Sequence, residues 1–295
     1  MRRRLPLLTL LVLLAVVLAG CGSSSSSSSS AVSQTGAAAG SPTSSAAACT
    51  PGALATQSQG VLTVATDSPA YPPYFVNNNP TNGKGFESAV AYAVAAKLGY
   101  PAAKVRWTKE PFDASYAPGP KSFDFDINEI SITPARSHVV DFSAPYYTNP
   151  QGVIVPSGSP LAHTTTLAAL RNANIGVQIG TTSLSAVTEL IKPLGQPQVF
   201  NTSNDVVSAF KIHRINALVT DLATAFQLTA TSLPHTTIAG QFSAPGGDRW
   251  GLLLSKGSKL TPCVSHAVSA LSSDGTLARL SHRWIASAAS AAVLH

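Results

Sequence analysis

The chain's 295 residues are enough for one large or two modest domains with a buried core, and 44% of them are hydrophobic. Only 11% are charged, and the 21 glycines and 21 prolines follow no triplet period, which excludes a coiled coil, a collagen and a highly charged disordered chain. The formal net charge is +6, and half of it comes from Arg2, Arg3 and Arg4. Because no cluster of Lys and Arg follows them, the charge does not indicate nucleic-acid binding.

Residues 1–20 have the layout of an export signal. A basic start is followed by a mostly apolar run over 5–20, and Leu18, Ala19 and Gly20 then precede Cys21. The run is short for a transmembrane helix, which needs about 20 residues. The sequence around Cys21 resembles the bacterial lipobox, in which the signal is cut before a cysteine that is then acylated. We therefore expect a lipoprotein signal peptide over 1–20 and a lipid on Cys21; the alternatives are an ordinary secretory signal and an uncleaved anchor.

A Ser- and Ala-rich tether follows over 21–48. It includes eight consecutive serines at 23–30 and cannot bury a core, so it predicts a flexible link with a reach of roughly 30 Å. No later stretch is apolar for 18 residues. We expect a monomeric globular body that is held by palmitate or a similar lipid at the extracytoplasmic face of the cell membrane.

Two further cysteines, Cys49 and Cys263, belong to this exported body and favour one disulfide between them; the alternative is two free thiols. The seven histidines are scattered without a close helical pair, and no Cys or His spacing indicates a metal site. We therefore expect neither a metal nor another cofactor.

The body of the chain alternates between strand and helix patterns. Runs typical of strands lie at 61–66, 105–107, 125–132, 152–155, 175–179, 217–219 and 250–254. Apolar residues at helical intervals predict helices at 86–98, 184–191, 206–212, 223–228, 260–271 and 277–285. This alternation is typical of an α/β fold with mostly parallel sheets, in which ligands bind beyond the carboxyl ends of the strands.

Residues 131–136 form the first strand end whose side chains are suited to ligand binding. Thr133 can cap a helix that has Pro134 in its first turn, and Arg136 then lies near a helix N-terminus, which is unfavourable for a cation unless an anion is present. Together with Ser131, this guanidinium could bind a carboxylate. The alternative is an ion pair between Arg136 and a protein acid such as Asp141.

Two more strand ends bear polar side chains. Thr181 and Thr182 follow Gly180 and could form a cradle for a carboxylate or a phosphate, or simply cap a helix. Asp221 ends another strand and could accept an ammonium group, or cap the helix that follows. A cationic side chain that binds a carboxylate and an acidic side chain that binds an amine would together form a pocket suited to an α-amino acid.

Two aromatic residues could complete such a pocket. Tyr71 lies in a Tyr-Pro-Pro-Tyr sequence, and Phe112 follows Pro111. Each could flank a ligand side chain, or pack within the core or a loop.

With its motifs in this order, the chain resembles the polar-amino-acid-binding proteins of ABC importers, which are the family-3 extracellular solute-binding proteins. The motifs are the opening strand with Tyr71-Pro72-Pro73, Gly85-Phe86-Glu87 at a helix start, and the segments 131–136, 140–147, 175–183, 215–221 and 274–277. The resemblance implies two α/β lobes of the periplasmic-binding-protein type, joined by two crossover segments near 148–149 and 241–242. Lobe 1 would comprise 49–148 and 243–286, lobe 2 would comprise 149–242, and 287–295 would be a tail.

The resemblance also implies residue roles and a function. Residues of both lobes would contact the ligand: its carboxylate would meet Arg136, Ser131, Thr181 and Thr182, its α-ammonium Asp221, and its side chain Tyr71 and Phe112. The protein would deliver an amino acid to the permease subunits of an ABC importer, without catalysis. The alternatives are a dehydratase of the same fold, in which Glu129 acts as a general acid, and a lipoprotein that senses a solute without transporting it.

One departure from the family pattern bears on the ligand. Asn128 and Glu129 replace the usual small residues before Ser131. If the strand is regular there, Glu129 and Ser131 share a face and both point into the cleft. A carboxylate in that position would favour a cationic or amide side chain over an acidic one; the alternative is a Glu129 side chain that points into solvent.

Overall fold

The computed structural model describes residues 49–285 and 291–295. The predicted signal peptide and tether, including Cys21, lie outside the described residues, and so do residues 286–290. Among the residues that are described, no helix is both long and apolar enough to span a lipid bilayer.

The described residues form two five-stranded sheets. In chain order, the strands are β1 (Leu62–Thr66), β2 (Val105–Lys109), β3 (Phe125–Asp126), β4 (Val140–Thr148), β5 (Gln151–Pro156), β6 (Ile175–Gln178), β7 (Gln198–Phe200), β8 (Ala217–Asp221), β9 (Thr236–Phe242) and β10 (Arg249–Ser255). The first sheet has the order β2-β1-β3-β10-β4, and the second has the order β7-β6-β8-β5-β9.

Helices pack on both sheets. They are α1 (Phe86–Lys97), α2 (Phe112–Ser115), α3 (Pro134–Val139), α4 (Thr182–Ala186), α5 (Ser203–Lys211), α6 (Leu222–Thr231), α7 (Thr261–Ser273) and α8 (Thr276–Ile285). A π-helical segment, Val187–Ile191, continues α4. Lobe 1 denotes the first sheet with α1, α2, α3, α7 and α8, and lobe 2 denotes the second sheet with α4, α5 and α6.

The chain passes between the lobes twice within the described part. It leaves lobe 1 after Thr148 and begins β5 at Gln151, and it returns between Phe242 and Arg249. The predicted α/β fold, with two lobes and two crossover segments, is therefore confirmed.

The prediction of mostly parallel sheets is wrong. β1 pairs in parallel with β2 and β3, and β6 pairs in parallel with β7 and β8. In contrast, β5 and β10 pair antiparallel with both of their neighbours. These are the two strands that directly follow a crossover: Gln151 begins β5 opposite Asp221, where β8 ends. Each of these two strands therefore begins at the end of the sheet where the parallel strands finish, and it runs in the opposite direction.

Strand β3 is shorter than the alternating pattern over 125–132 predicts. It ends at Asp126, and Ser131 makes only an isolated bridge to Trp250. Between them, Glu129 has a φ of 52°, in the left-handed region that interrupts a strand. The regular strand on which the orientation of Glu129 was predicted is therefore not present.

Lobe 1 has a continuous apolar core that fixes β1. Leu62 and Val64 of β1 are fully buried, together with Val90 and Val94 of α1. Each buried side chain of this size stabilises the fold by about 1.5–3 kcal/mol. The predicted disulfide is present and joins Cys49, the first described residue, to α7 with its Cα atoms 5.4 Å apart.

Residues 291–295, predicted only as a tail, pack on lobe 2. Leu294 is 4% exposed within the apolar cluster of that lobe. The backbone N–H of Gln241 in β9 donates to the carbonyl of Ala292 at 2.7 Å, and the N–H of Leu294 donates to the carbonyl of Gln241 at 2.8 Å. Gly240 permits this approach, since a Cβ there would lie 2.6 Å from the Leu294 side chain.

Candidate functional site

A cavity of about 810 Å³ lies between the lobes, and the structure brings every predicted ligand-binding residue to its wall. These residues are Tyr71, Phe112, Glu129, Ser131, Arg136, Thr181, Thr182 and Asp221. The volume is in the usual range for small-molecule sites, about 300–1,000 Å³. They meet here because the carboxyl ends of β1, β3, β6 and β8 face the gap between the two sheets.

Arg136 is held in place by the capping geometry that its sequence predicts. Thr133 caps α3, accepting a 3.2 Å hydrogen bond from the backbone N–H of Arg136, and Pro134 occupies the first turn. The guanidinium donates to the carbonyl of Ser131 at 2.8 Å and, across the cavity, to the carbonyl of Gly180 at 2.9 Å. Both acceptors are neutral, so neither of these two contacts matches the positive charge of the buried guanidinium.

The alternative partner for Arg136 is engaged elsewhere. Asp141 lies 3.3 Å from the ammonium of Lys256 and accepts a hydrogen bond from the backbone N–H of Gly257. No ion pair found among the described residues includes Arg136. Burial lowers the pKa of Arg136, while Tyr116 and Asp221 act against that shift.

Aromatic rings enclose this guanidinium. Its central carbon lies 4.5 Å from the ring centroid of Tyr116 and 5.5 Å from that of Phe112. Both predicted aromatics, Tyr71 and Phe112, line the cavity, and Phe112 also lies against the Arg136 guanidinium. Tyr116 also donates to the carbonyl of Gly180 at 3.2 Å, linking the lobes. Gly180 has a φ of 73°, and a Cβ there would lie 2.3 Å from the Tyr116 hydroxyl.

The hydroxyls of the two lobes approach each other beside Arg136. The Oγ of Ser131 and the Oγ1 of Thr182 are 3.4 Å apart. Thr181 caps α4, accepting from the N–H of Leu184 at 3.2 Å, and donates to the carbonyl of Gln178 at 2.8 Å. The capping role is therefore observed for Thr181, and the Thr182 hydroxyl is the one directed toward lobe 1.

Asp221 does not cap the helix that follows it. Its side chain makes no capping hydrogen bond with α6. Instead, Gln151 donates to its Oδ1 at 3.3 Å and to the Oδ1 of Asp248 at 3.1 Å. Burial, and next the charge of Asp248, raise the pKa of Asp221 to about 8. A carboxyl with this pKa gains ionised character when a cation is placed beside it.

Glu129 reaches the cavity despite the irregular backbone. Its backbone N–H donates to the Oε1 of Glu87 at 2.7 Å, and the hydroxyl of Tyr146 donates to the same oxygen. Glu87 is fully buried at the start of α1. Burial is the main reason that the pKa of Glu87 rises to about 7 and that of Glu129 rises well above its usual value.

Several residues of this site are not predicted from the sequence. Tyr116, four residues after Phe112, was recoverable from helical spacing, since i and i+4 share a helix face. Tyr74 and Thr224 join the lobes through their hydroxyls, 3.0 Å apart. Glu87 lies 42 residues before Glu129, so no local pattern connects them. Within residues 49–285 and 291–295, no group of His, Cys, Asp and Glu has an arrangement suited to a metal ion.

The chain is similar in sequence and structure to known solute-binding proteins. The model of the family "Bacterial extracellular solute-binding proteins, family 3" matches residues 62–287. The chain is 26% identical over 230 residues to the L-cystine-binding protein TcyJ of Escherichia coli (strain K12), covering 77% of this chain and 84% of that one.

Two further similarities extend over both lobes. The chain is 27% identical over 226 residues to the ABC transporter arginine-binding protein 1 of Escherichia coli (strain K12), covering 74% of this chain and 88% of that one. A solved structure, an ancestral arginine-binding protein bound to arginine, superimposes with a TM-score of 0.64 at 29% identity, covering 76% of this chain and 98% of that one.

Proposed function

The chain belongs to the bacterial extracellular solute-binding proteins of family 3, and from this premise we propose that it is a receptor that holds one free amino acid between its lobes. The observation that supports this ligand most is the placement of Arg136 and Asp221 on opposite lobes of one cavity. A ligand with a carboxylate and an ammonium on adjacent carbons satisfies both groups at once. Because the two groups belong to different lobes, closure depends on the ligand.

The other predicted contacts complete this proposal. Ser131 and Thr182 offer hydroxyls to the ligand carboxylate beside Arg136, and Thr181 supports it by fixing the first turn of α4. Tyr71 and Phe112 flank the ligand side chain.

The remaining charges of the cavity favour a cationic side chain. Four acids line it, Asp67, Asp113, Glu129 and Asp221, against the cations Arg136 and Lys211. The α-carboxylate and α-ammonium of a ligand pair with one group of each sign, which leaves an excess of acids around the side chain. Glu129 is the acid that lies closest in sequence to Ser131 and Arg136, and we assign it to the side-chain contact. The names of relatives that bind arginine and cystine are consistent with polar ligands.

Delivery to the permease of an ABC importer, and anchoring through a lipid on Cys21, are also part of the proposal. The first is supported by family membership and by a relative named as an ABC transporter binding protein. The second is supported by the Leu-Ala-Gly-Cys sequence at residues 18–21. The dehydratase alternative is not proposed, because the named relatives are binding proteins.

Thermal unfolding of the purified protein against each of the 20 standard amino acids tests the proposal. A ligand at 100 times its Kd raises the unfolding free energy by about 2.7 kcal/mol. We expect stabilisation by arginine and lysine, a smaller effect of glutamine, and none of glutamate. Tighter binding of glutamate or aspartate would contradict the assignment of Glu129, and stabilisation by no amino acid would contradict the receptor itself.

A further inference from the structure

A carboxyl pair, formed by Glu87 and Glu129, lies at the wall of the ligand cavity. Glu129 lines the cavity, and Glu87 lies behind it, fully buried. The Oε1 of Glu87 accepts two hydrogen bonds, from the N–H of Glu129 and from the hydroxyl of Tyr146. The buried Oε2 of Glu87 has no donor among the described residues. The 2.7 Å contact between the N–H of Glu129 and the Oε1 of Glu87 makes the two residues neighbours, and a hydrogen bond between their carboxyls would require a proton on one of them.

The surroundings of the pair make simultaneous ionisation unfavourable. Titratable groups face the pair from several elements. They are Asp67, Tyr71 and Tyr74 in the loop after β1, Asp126 in β3, Tyr146 in β4 and Asp221 in lobe 2. None of these is a cation. The two ion pairs found in the described part of the chain, Lys97–Asp274 and Lys256–Asp141, include neither member of the pair. One carboxyl of the pair is fully buried and the other lies at the cavity wall, and the acids around them favour the retention of one proton between them.

We propose that Glu87 and Glu129 share one proton before the ligand binds, and that a cationic ligand side chain displaces this proton into solvent. This inference rests on the proposed amino-acid receptor function. Before binding, the pair shares one proton and has a single negative charge. After binding, both carboxylates are ionised beside the ligand cation, and the proton is released into solvent, so charge and atoms balance. Glu129 contacts the ligand cation, and Glu87 acts as a positioning residue that sets the protonation of Glu129 from behind.

The proposal links affinity to pH in a way that depends on the ligand's side chain. Below the pKa of the pair, binding of a cationic ligand must release a proton, so its affinity falls by up to about tenfold per pH unit as the pH decreases. A neutral ligand of the same shape leaves the shared proton in place. Asp221 also has a raised pKa, but it faces the α-ammonium that every amino acid has. Its contribution therefore cancels when two amino acids are compared.

Arginine and citrulline form the matched ligand pair for the test, because citrulline replaces the guanidinium with a neutral ureido group of similar size. Isothermal titration of the full chain is performed with each ligand near pH 6 in two buffers that differ in ionisation enthalpy. The difference in apparent enthalpy gives the protons released. We expect arginine to release more protons than citrulline, by up to about one per ligand. We also expect the ratio of their affinities to fall as the pH is lowered.

Two variants test whether Glu87 and Glu129 are the source of the extra proton release on arginine binding. In Glu87→Gln, the amide can donate to Glu129 without a shared proton, so the extra proton release that accompanies arginine binding is lost. In Glu129→Gln, arginine loses its advantage over citrulline. Equal proton release by arginine and citrulline in the wild-type protein overturns the proposal, whatever the variants do. Binding of citrulline or glutamine with no binding of arginine or lysine overturns it as well. Failure of every amino acid to bind instead contradicts the receptor function.

Discussion

Asp126 offers a test of the electrostatics of lobe 1 that needs no ligand. It lies in the middle of the first sheet, paired with Ala65 of β1 and Leu253 of β10, and it is completely buried. Neither of its carboxyl oxygens has a hydrogen-bond partner among the described residues. Burial, followed by the charges of Glu87 and Glu110, raises the pKa of Asp126 well above its usual value.

The missing hydrogen bonds of Asp126 determine how much its replacement should change the unfolding free energy. A buried polar group without a partner costs about 1–3 kcal/mol, and replacing it with an apolar side chain of similar size removes that cost. We therefore expect Asp126→Val to raise the unfolding free energy by about 1–3 kcal/mol at neutral pH. Asp126→Asn removes the charge and keeps a polar group that still lacks partners, so its gain should be smaller.

The raised pKa of Asp126 also determines how the stability difference between the wild type and the valine variant changes with pH. Because the pKa of Asp126 is raised by folding, its contribution to stability is fully present below the unfolded pKa and is lost as the pH rises toward the folded pKa. The advantage of Asp126→Val over the wild type should accordingly grow from about pH 4 to pH 7. Urea unfolding, followed by circular dichroism at several pH values, measures it. A valine variant that is less stable than the wild type by an amount independent of pH would refute the reasoning.

Three further predictions concern binding and packing. Arg136→Ala should weaken the binding of arginine by about 2–5 kcal/mol, and Arg136→Lys should restore only part of it because a lysine lacks the bidentate geometry; calorimetry that finds affinity unchanged within twofold contradicts the carboxylate assignment. Reduction of the disulfide, which joins residues 214 apart, should lower the unfolding free energy by at most roughly 5 kcal/mol. Thiol labelling of Cys49 or Cys263 in the unfolded, unreduced protein would show that the bond does not form. Leu294→Ala should destabilise lobe 2 by about 2–5 kcal/mol in a urea melt, whereas Val293→Ala, at a side chain that is 55% exposed, should have little effect; equal effects would mean that Leu294 is not part of the core.

The sequence predicts the site better than it predicts the sheets. Ser131, Thr182 and Asp221 each lie at or just beyond the carboxyl end of a strand pattern, and the carboxyl ends of neighbouring parallel strands meet at the same end of a sheet. Their convergence therefore requires only that the strands be assigned and that two lobes face each other. The helix caps at Thr133 and Thr181 depend on local chemistry alone, and both are present.

Three strands, β4, β7 and β9, were not predicted; β7 has only three residues, and the other two lack a local signal. β4 contains Pro145 and has no regular alternation between buried and exposed residues, and β9 contains Gly240. Both are edge strands whose partners, β10 and β5, lie after a crossover, so their pairing depends on the tertiary fold. The left-handed conformation of Glu129 is another such case. A glutamate has no local preference for it, and here the contact of its N–H with Glu87 stabilises it.

The contacts of the three charged cavity groups explain how one ligand can close the site. The Arg136 guanidinium donates to the neutral carbonyl of Gly180, Asp221 accepts from the neutral amide of Gln151, and Glu129 pairs with the acid Glu87. Each contact satisfies hydrogen bonding without matching charge. Charge-assisted hydrogen bonds are roughly twice as strong as neutral ones, so the carboxylate, ammonium and side-chain cation of the proposed ligand would each replace a weaker interaction with a stronger one. In the proposed receptor, an amino acid that supplies only two of these charges would gain at only two of the three places, and the cavity would thereby discriminate between ligands of nearly the same shape.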